Sequence, residues 1–294
     1  MHSPLSIHIV YPSEKDKWNV ADLWQESFDD SPEYVEFFFN HVYKPENTLV
    51  IKRDGFIVSA LQMIPYTAKL SAKTVPAAYV CGACTHPFER GQGLMKTLVR
   101  HAKLEMKRRG FVFAVVIPAE PSLFVFYEKL GFTKKIFHYS QILPYNKFLV
   151  NALEYYYPFT FEECTIKHFP YFDRKQQGRY RTIIHDRDEF EMILQELKCD
   201  GGTAFVALKN NIPVGMAFAE KISKDTIRIK DILADYDNIF SALYRYAFRL
   251  FDAQYIKINC PHDIDKKPSE YGLACNFDKI KRKFYFFHMS LMHD

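Results

Sequence analysis

Between residues 85 and 95 the chain reads Thr85-His86-Pro87-Phe88-Glu89-Arg90-Gly91-Gln92-Gly93-Leu94-Met95, directly ahead of a long amphipathic run. Glycines allow a tight turn. The amides that open a helix lack internal partners and sit at the positive end of its dipole, so together they form an anion site. Arg90 adds a guanidinium fork suited to phosphate oxygens, and Lys96 stands close enough to contact the same ligand. A pyrophosphate fits this chemistry. The loop is not a Walker phosphate loop, because no Gly-Lys-Ser/Thr follows, nor the dinucleotide fingerprint in its full spacing.

Other reactive groups stand near it in sequence. Cys81-Gly82-Ala83-Cys84 suggests redox or zinc chemistry, but residues three apart on an extended strand point to opposite faces, and no second cysteine pair has finger spacing. We therefore expect no metal and no disulfide there. Glu26, Asp29, Asp30, His86 and Glu120 are candidate proton acceptors by position.

The elements that must carry these residues alternate in kind. Ile7 to Tyr11 reads as a strand, and Val20 to Phe28 and Tyr34 to Val42 as helices. Thr48 to Lys52 and Phe56 to Pro65 form a hairpin around Asp54-Gly55, followed by a strand from Thr74 to Thr85. The helix from Leu94 to Arg109 carries Met95, Leu98, Val99, Ala102 and Met106 on one stripe and ends at Gly110. A buried strand over Phe111 to Ile117, a short helix between Pro121 and Gly131, and a strand over Phe132 to Leu143 complete the first half. The spacing predicts a mixed α/β sheet whose parallel pair is joined by the Leu94 helix.

After an aromatic-rich junction from Pro144 to Arg181, which includes Tyr155, Tyr156 and Tyr157, the pattern restarts. A helix (Asp188 to Leu197), a hairpin around Asn210-Asn211, a strand (Thr226 to Leu233), a helix (Ile239 to Phe251) and strands at Tyr255 to Cys260 and Phe284 to Met292 repeat the order. The expected class is α/β (α+β): two tandem domains, 1–145 and 146–294, each a mixed, mostly antiparallel sheet with flanking helices. In the second copy the segment matching the phosphate loop, Leu233-Ala234-Asp235-Tyr236-Asp237-Asn238, has no glycine and two carboxylates, which would repel a pyrophosphate.

The Arg90-Gly91-Gln92-Gly93 loop, with Pro87 three residues before it and Phe126-Tyr127-Glu128-Lys129-Leu130-Gly131-Phe132 after the next helix and strand, resembles the Gcn5-related N-acetyltransferase (GNAT) superfamily. Specific motifs carry the resemblance over residues 5 to 143, and topology alone extends it to the second half. It implies that Arg90, Gly91, Gln92, Gly93, Leu94, Met95 and Lys96 bind the pyrophosphate of acetyl-coenzyme A, with Ala83, Cys84, Thr85 and Glu120 also at the cofactor. Tyr127 would then lie beside the sulfur. Met95 departs from the Gly or Ala usual at the end of the loop, a feature of the tandem-domain subgroup similar to the enhanced-intracellular-survival (Eis-like) acetyltransferases. The resemblance implies a shortened relative, expected to lack that group's additional C-terminal sterol-carrier-like domain. In that subgroup an acidic residue in the early helical region contacts the cationic acceptor, which points here to Asp29 and Asp30, with Trp24 beside them.

Acetyl transfer from a thioester to an amine needs a neutral nucleophile, a place for the tetrahedral oxyanion and a proton for the departing thiolate. Unpaired amides at Ala83, Cys84 and Thr85 suit the oxyanion and pantetheine. Tyr127 suits the proton, since a phenol near pKa about 10 stays protonated where a thiol near about 8.5 does not. The base is open, and a relay through water would need none. A non-catalytic acyl-coenzyme A binding or sensing protein, with the second domain as an interaction module, stays an alternative. So does an aminoacyl transferase of cell-wall precursors, although the intact loop argues against it.

Composition bounds the rest. At 294 residues, with 48% hydrophobic and 16% aromatic content, the chain can bury two cores and is not disordered. A net charge of +4 argues against a dedicated nucleic-acid binder. No apolar run approaches the roughly 20 residues of a membrane span. Residues 1–17 show no secretory pattern and the six cysteines are scattered, so a cytoplasmic enzyme acting on a small-molecule or peptide amine is expected, without membrane or nucleic-acid partners. The acceptor and the oligomeric state are not legible.

Overall fold

The computed structural model of the chain describes residues 7–145, 159–260, 268–279 and 283–293. It divides into two compact units: Met1–Ile136 with Glu270–Tyr285 and His293–Asp294, and Phe137–Ser269 with Phe286–Met292. Each is a mixed, mostly antiparallel sheet with helices on its faces.

In the first unit β1 (His8–Val10), β2 (Thr48–Arg53), β3 (Phe56–Leu70), β4 (Lys73–Thr85), β5 (Phe113–Val116) and β13 (Ser269–Asn276) follow one another across the sheet. Asp54 and Gly55, at φ 51° and 85°, turn the β2–β3 hairpin in the left-handed conformation that Asp-Gly favours. The parallel pair, β4 and β5, is joined by α3 (Leu94–Arg108). Leu98, Val99, Ala102 and Met106 of α3 are fully buried against Leu61, Met63, Ala78 and Val80 of the sheet. Each such large side chain contributes about 1.5–3 kcal/mol by leaving water. The alternate sheet residues face α1 (Lys17–Gln25), α2 (Pro32–Phe37) and the π-helical turn Phe38–Val42. There Trp24 packs on Phe38 and Phe39 at 4.6 and 5.8 Å between ring centroids. Ser31 starts α2 by accepting a hydrogen bond from the Tyr34 amide.

In the second unit the order is β6 (Lys134–Pro144), β12 (Tyr255–Cys260), β11 (Thr226–Ala234), β10 (Ile212–Lys221), β9 (Thr203–Lys209) and β7 (Thr160–Glu163). Its parallel pair, β11 and β12, is joined by α7 (Asp237–Phe251), which covers one face. Helices α5 (Phe169–Gln177) and α6 (Arg187–Cys199) cover the other. The β9–β10 turn uses Asn210 and Asn211 at φ 51° and 63°, the left-handed conformation that the hairpin expected there requires.

Four expectations are corrected. The units do not meet at a cut between 145 and 146: β13, from the end of the chain, pairs with β5 in the first unit, and β6 pairs with β12 in the second. The reason is that β5 is buried throughout and needs a partner on each side, which no strand of the first half supplies. Phe284 to Met292 is not a strand. Its buried residues, Phe287, Met289 and Leu291, alternate like one, yet among the described residues its ladder is a single bridge from His288 to Thr182, and Phe286 turns the chain at φ 46°. The junction also holds α5, β7 and β8 (Arg181–Ile184), where mixed aromatic and charged residues hid the period. Tyr155, Tyr156 and Tyr157 lie outside the described residues.

The fourth correction concerns Cys81 and Cys84, which stand opposite Gln62 and Ala60 and therefore share a face. The reason is a β-bulge, in which Gly82 and Ala83 together oppose Leu61. Both thiols are buried and outside any disulfide, and burial pushes that of Cys84 up to about 12, which keeps it protonated and unreactive at neutral pH.

Candidate active site

The bulge is the first feature of the site. Gly82 adopts φ 55°, and the indole of Trp24 fills the space that any side chain there would take. Ordinary pairing with β5 stops at Val80 opposite Val116, while β4 continues to Thr85. The two parallel strands therefore part, and the amides beyond Val80 are left on the side where β5 has ended. Ser59 fixes the end of β4, donating from its hydroxyl to the Cys84 carbonyl at 2.9 Å and sharing a hydrogen bond with the Thr85 hydroxyl at 2.8 Å.

A cavity of about 180 Å³ opens at this parting. Val80 to Ala83, Val116 to Ala119, Leu123 and Tyr127 line it on the strand side, and Trp24, Phe28, Asp30, Tyr34, Tyr79 and His293 complete it. Tyr127 sits on α4 (Pro121–Lys129), is 5% exposed, and stands edge-on to Phe126 and Phe132 at 5.1 and 5.8 Å. Burial raises its pKa well above the ordinary phenol value, so it holds its proton across the neutral range.

From the end of β4 the chain runs into the phosphate-type loop. Gly91 and Gly93 take φ 79° and 77° with open space around them, so backbone freedom and not room is what glycine supplies. Gly93 is the N-cap of α3, no side chain caps it, and the first amides of the helix face outward. Arg90 is exposed and donates from Nε to the Thr85 carbonyl at 3.0 Å, which holds its fork beside the loop. Arg53 on β2 braces the loop from below: it pairs with Glu89, and its Nη2 donates to Gln92 Oε1 at 2.9 Å, while Gln92 Nε2 donates to Glu89 at 2.9 Å. Arg53 lies 36 residues away in sequence beside a hairpin turn, and no motif marks it.

The predicted residues separate on this frame. Ala83, Trp24, Asp30 and Tyr127 line one cavity. Asp30 Oδ2 accepts from Trp24 Nε1 at 2.6 Å, which ties the carboxylate to the indole. Cys84 faces the α1 side, with its thiol against the Ala60 carbonyl, and Leu94 and Met95 pack into the core at the root of α3. Lys96 is exposed on the first turn of α3. Asp29 and Glu120 are exposed and do not line the cavity; Glu120 stands at the N-cap of α4 beside Ser122. Glu26 and His86 also lie off it and approach each other at 3.7 Å. Of the candidate bases, Asp30 alone reaches the cavity. Tyr34, Tyr79 and His293 reach it without any signal in the sequence, because a cavity wall is made by elements far apart in the chain.

In the second unit the parallel pair parts in the same way: β11 pairs with β12 only from Thr226 to Ile229, and a register shift falls beyond it. No residue of 233–238 has a positive φ and the N-cap of α7 is Tyr236, so no cradle forms. The carboxylate of Asp235 is not bare, however. Arg174 and Lys175 of α5 both approach it at 3.2 Å, and Arg179 holds Asp231 through two bonds of 2.6 Å. The repulsion expected from charge is thereby reduced, and the missing glycines are the firmer difference. Among the described residues no group of His, Cys, Asp and Glu could hold a metal ion, and no helix is long and apolar enough to cross a membrane.

Residues 8–134 match the model of the acetyltransferase (GNAT) domain. Solved structures match over nearly the whole chain. A probable N-acyltransferase from Enterococcus faecalis V583 has a TM-score of 0.71 at 13% identity, over 92% of this chain and 72% of that one. Eis1 from Mycobacterium abscessus has a TM-score of 0.63 at 12% identity, over 93% and 74%. N-myristoyltransferase from Saccharomyces cerevisiae, solved with bound myristoyl-CoA, has 0.62 at 12% identity, over 94% and 80%. No curated protein matches the chain by sequence. At these identities the structures speak for the fold alone; the chemistry comes from the domain match over residues 8–134 and is that of an acyltransferase.

Proposed function

We propose that the protein is an acetyl-coenzyme A dependent N-acetyltransferase whose active site is the cavity between β4 and β5, with a small-molecule or peptide amine as acceptor. The observation that carries this reading is the parting of β4 from β5 at a glycine bulge, which leads directly into a braced Arg90-Gly91-Gln92-Gly93 loop at a helix start. In it the loop amides, Arg90 and Lys96 hold the pyrophosphate, and the β4 amides from Ala83 to Thr85 hold the pantetheine and the thioester oxygen.

The acceptor nitrogen attacks the thioester carbon. The oxyanion forms against the β4 amides, the C–S bond breaks, and the thiolate leaves toward Tyr127. Because burial holds the Tyr127 proton more tightly than a thiol holds its own, the phenol stabilises the thiolate as a hydrogen-bond donor, and the thiolate then equilibrates with solvent. Asp30, with Trp24 at its side, attracts a cationic acceptor into the aromatic wall. The second unit is a degenerate copy in an Eis-like tandem arrangement and binds no coenzyme A. Scattered cysteines, with no disulfide among the described residues, suit a reducing compartment.

Calorimetric titration with acetyl-coenzyme A, followed by thiol detection with spermidine, kanamycin, lysine and a lysine peptide, tests the reading. Saturable binding at one site per chain with thiol release is expected. No binding would overturn it, and binding without release for any amine would leave an acyl-coenzyme A binding protein instead.

A further inference from the structure

We infer that His293 is the general base of the acyl transfer, an inference that rests on the reading of the β4–β5 cavity as the acetyl-transfer site. His293 lines that cavity with Tyr127 and Asp30 and is 7% exposed. The chain runs through the second unit from Phe286 to Met292 and rejoins the first at His293, where the imidazole stands edge-on to Phe38, 6.1 Å between ring centroids.

Among the described residues the other titratable groups around the cavity come from several elements. They are Asp30 after α1, Tyr34 on α2, Tyr79 and Cys81 on β4, and Tyr127 on α4, while the π-helical turn offers the apolar Phe38. Phenols and thiols are proton donors at neutral pH, with ordinary values of about 10 and about 8.5. Among the described residues Asp30 is the one carboxylate of the wall, its Oδ2 is committed to the Trp24 indole, and carboxylates are far weaker bases than imidazole. Histidine is the side chain suited to taking and releasing a proton near neutrality.

The step balances without a further reactant. The amine nitrogen forms a bond to the thioester carbon as an imidazole nitrogen of His293 takes one of its protons. The C–S electron pair leaves with the thiolate beside Tyr127, and the imidazolium returns its proton to solvent or to the thiolate. The products are the amide, the thiol and neutral His293.

His293→Gln keeps the size of the side chain and removes the base. With spermidine and kanamycin as probes, kcat should fall about 10²-fold, the acidic limb of the pH profile should disappear, and the dissociation constant for acetyl-coenzyme A should stay within twofold. Added imidazole should restore part of the turnover of His293→Ala. Parent-like kcat and an unchanged acidic limb in His293→Gln would overturn the proposal. So would a loss of acetyl-coenzyme A binding in both variants, which would make the residue structural. A parent chain that binds acetyl-coenzyme A and acetylates no amine would remove the acetyl-transfer reading itself, and the role of His293 with it.

Discussion

Two side chains and one missing side chain decide most of the local chemistry. Tyr127 was legible from its motif, because the stretch from Phe126 to Phe132 has a recognisable order; its burial, which raises its pKa above the ordinary phenol value, was not. Tyr127→Phe should lower kcat about 10²-fold while acetyl-coenzyme A affinity stays within twofold, and steady-state kinetics with calorimetry check both. With its pKa raised, the phenol should contribute no falling limb to the pH profile below about pH 10, so any descent between pH 8 and 10 would assign another group. Gly82 was visible only as part of a cysteine pair. Its positive φ and the indole against it make Gly82→Ala costly, by about 2–4 kcal/mol in urea unfolding, through strain and displacement of Trp24. The same displacement should release Asp30 and weaken turnover.

At the scale of elements, α3 is the piece most readable in sequence and most heavily used. Its stripe, its glycine-ended start and its Gly110 stop all lie where the periodicity puts them. Two braces were not legible, because they connect residues distant in sequence. Arg53 supports the loop that opens the helix. At the other end buried Glu105 accepts from Arg108 at 2.9 and 2.6 Å and from Arg109 at 2.8 Å, and Arg109 in turn reaches Asn47 and Tyr11 at 3.0 Å each. The bonds from Arg108 hold the Glu105 carboxyl well below its usual value of 4.5, against the opposing effect of burial. A lowered carboxyl pKa stabilises the folded state above the unfolded value and loses that contribution as the pH falls toward the folded one. Glu105→Gln should therefore cost about 2 kcal/mol at pH 7, and the gap to the parent should close as unfolding is measured progressively below pH 4.5.

The described residues form two compact units whose sequence ranges interleave along the chain. The β5 strand is complete only with β13, which arrives more than 150 residues later, and β12 takes β6 from the first half. A fragment of residues 1–145 should consequently fail to fold as a unit, giving a noncooperative thermal transition by circular dichroism and no acetyl-coenzyme A binding. A cooperative, binding-competent fragment would show β13 to be dispensable. The domain match over residues 8–134 stops before this exchange, since local order carries the motif and pairing across the chain does not.

What the amino-acid order determined by itself was local: the alternation of strands and helices, the left-handed turns at Asp54-Gly55 and Asn210-Asn211, the amphipathic α3, and the glycine-arginine loop with Tyr127 after it. These follow from backbone sterics and side-chain periodicity within a few residues. Tertiary structure alone decided which thiols share a face, which of five acidic or imidazole candidates reaches the cavity, where the units divide, and that His293 joins Tyr127 and Asp30. Those outcomes depend on a one-residue bulge and on contacts between segments up to the length of the chain apart, and no period or spacing in the sequence encodes them.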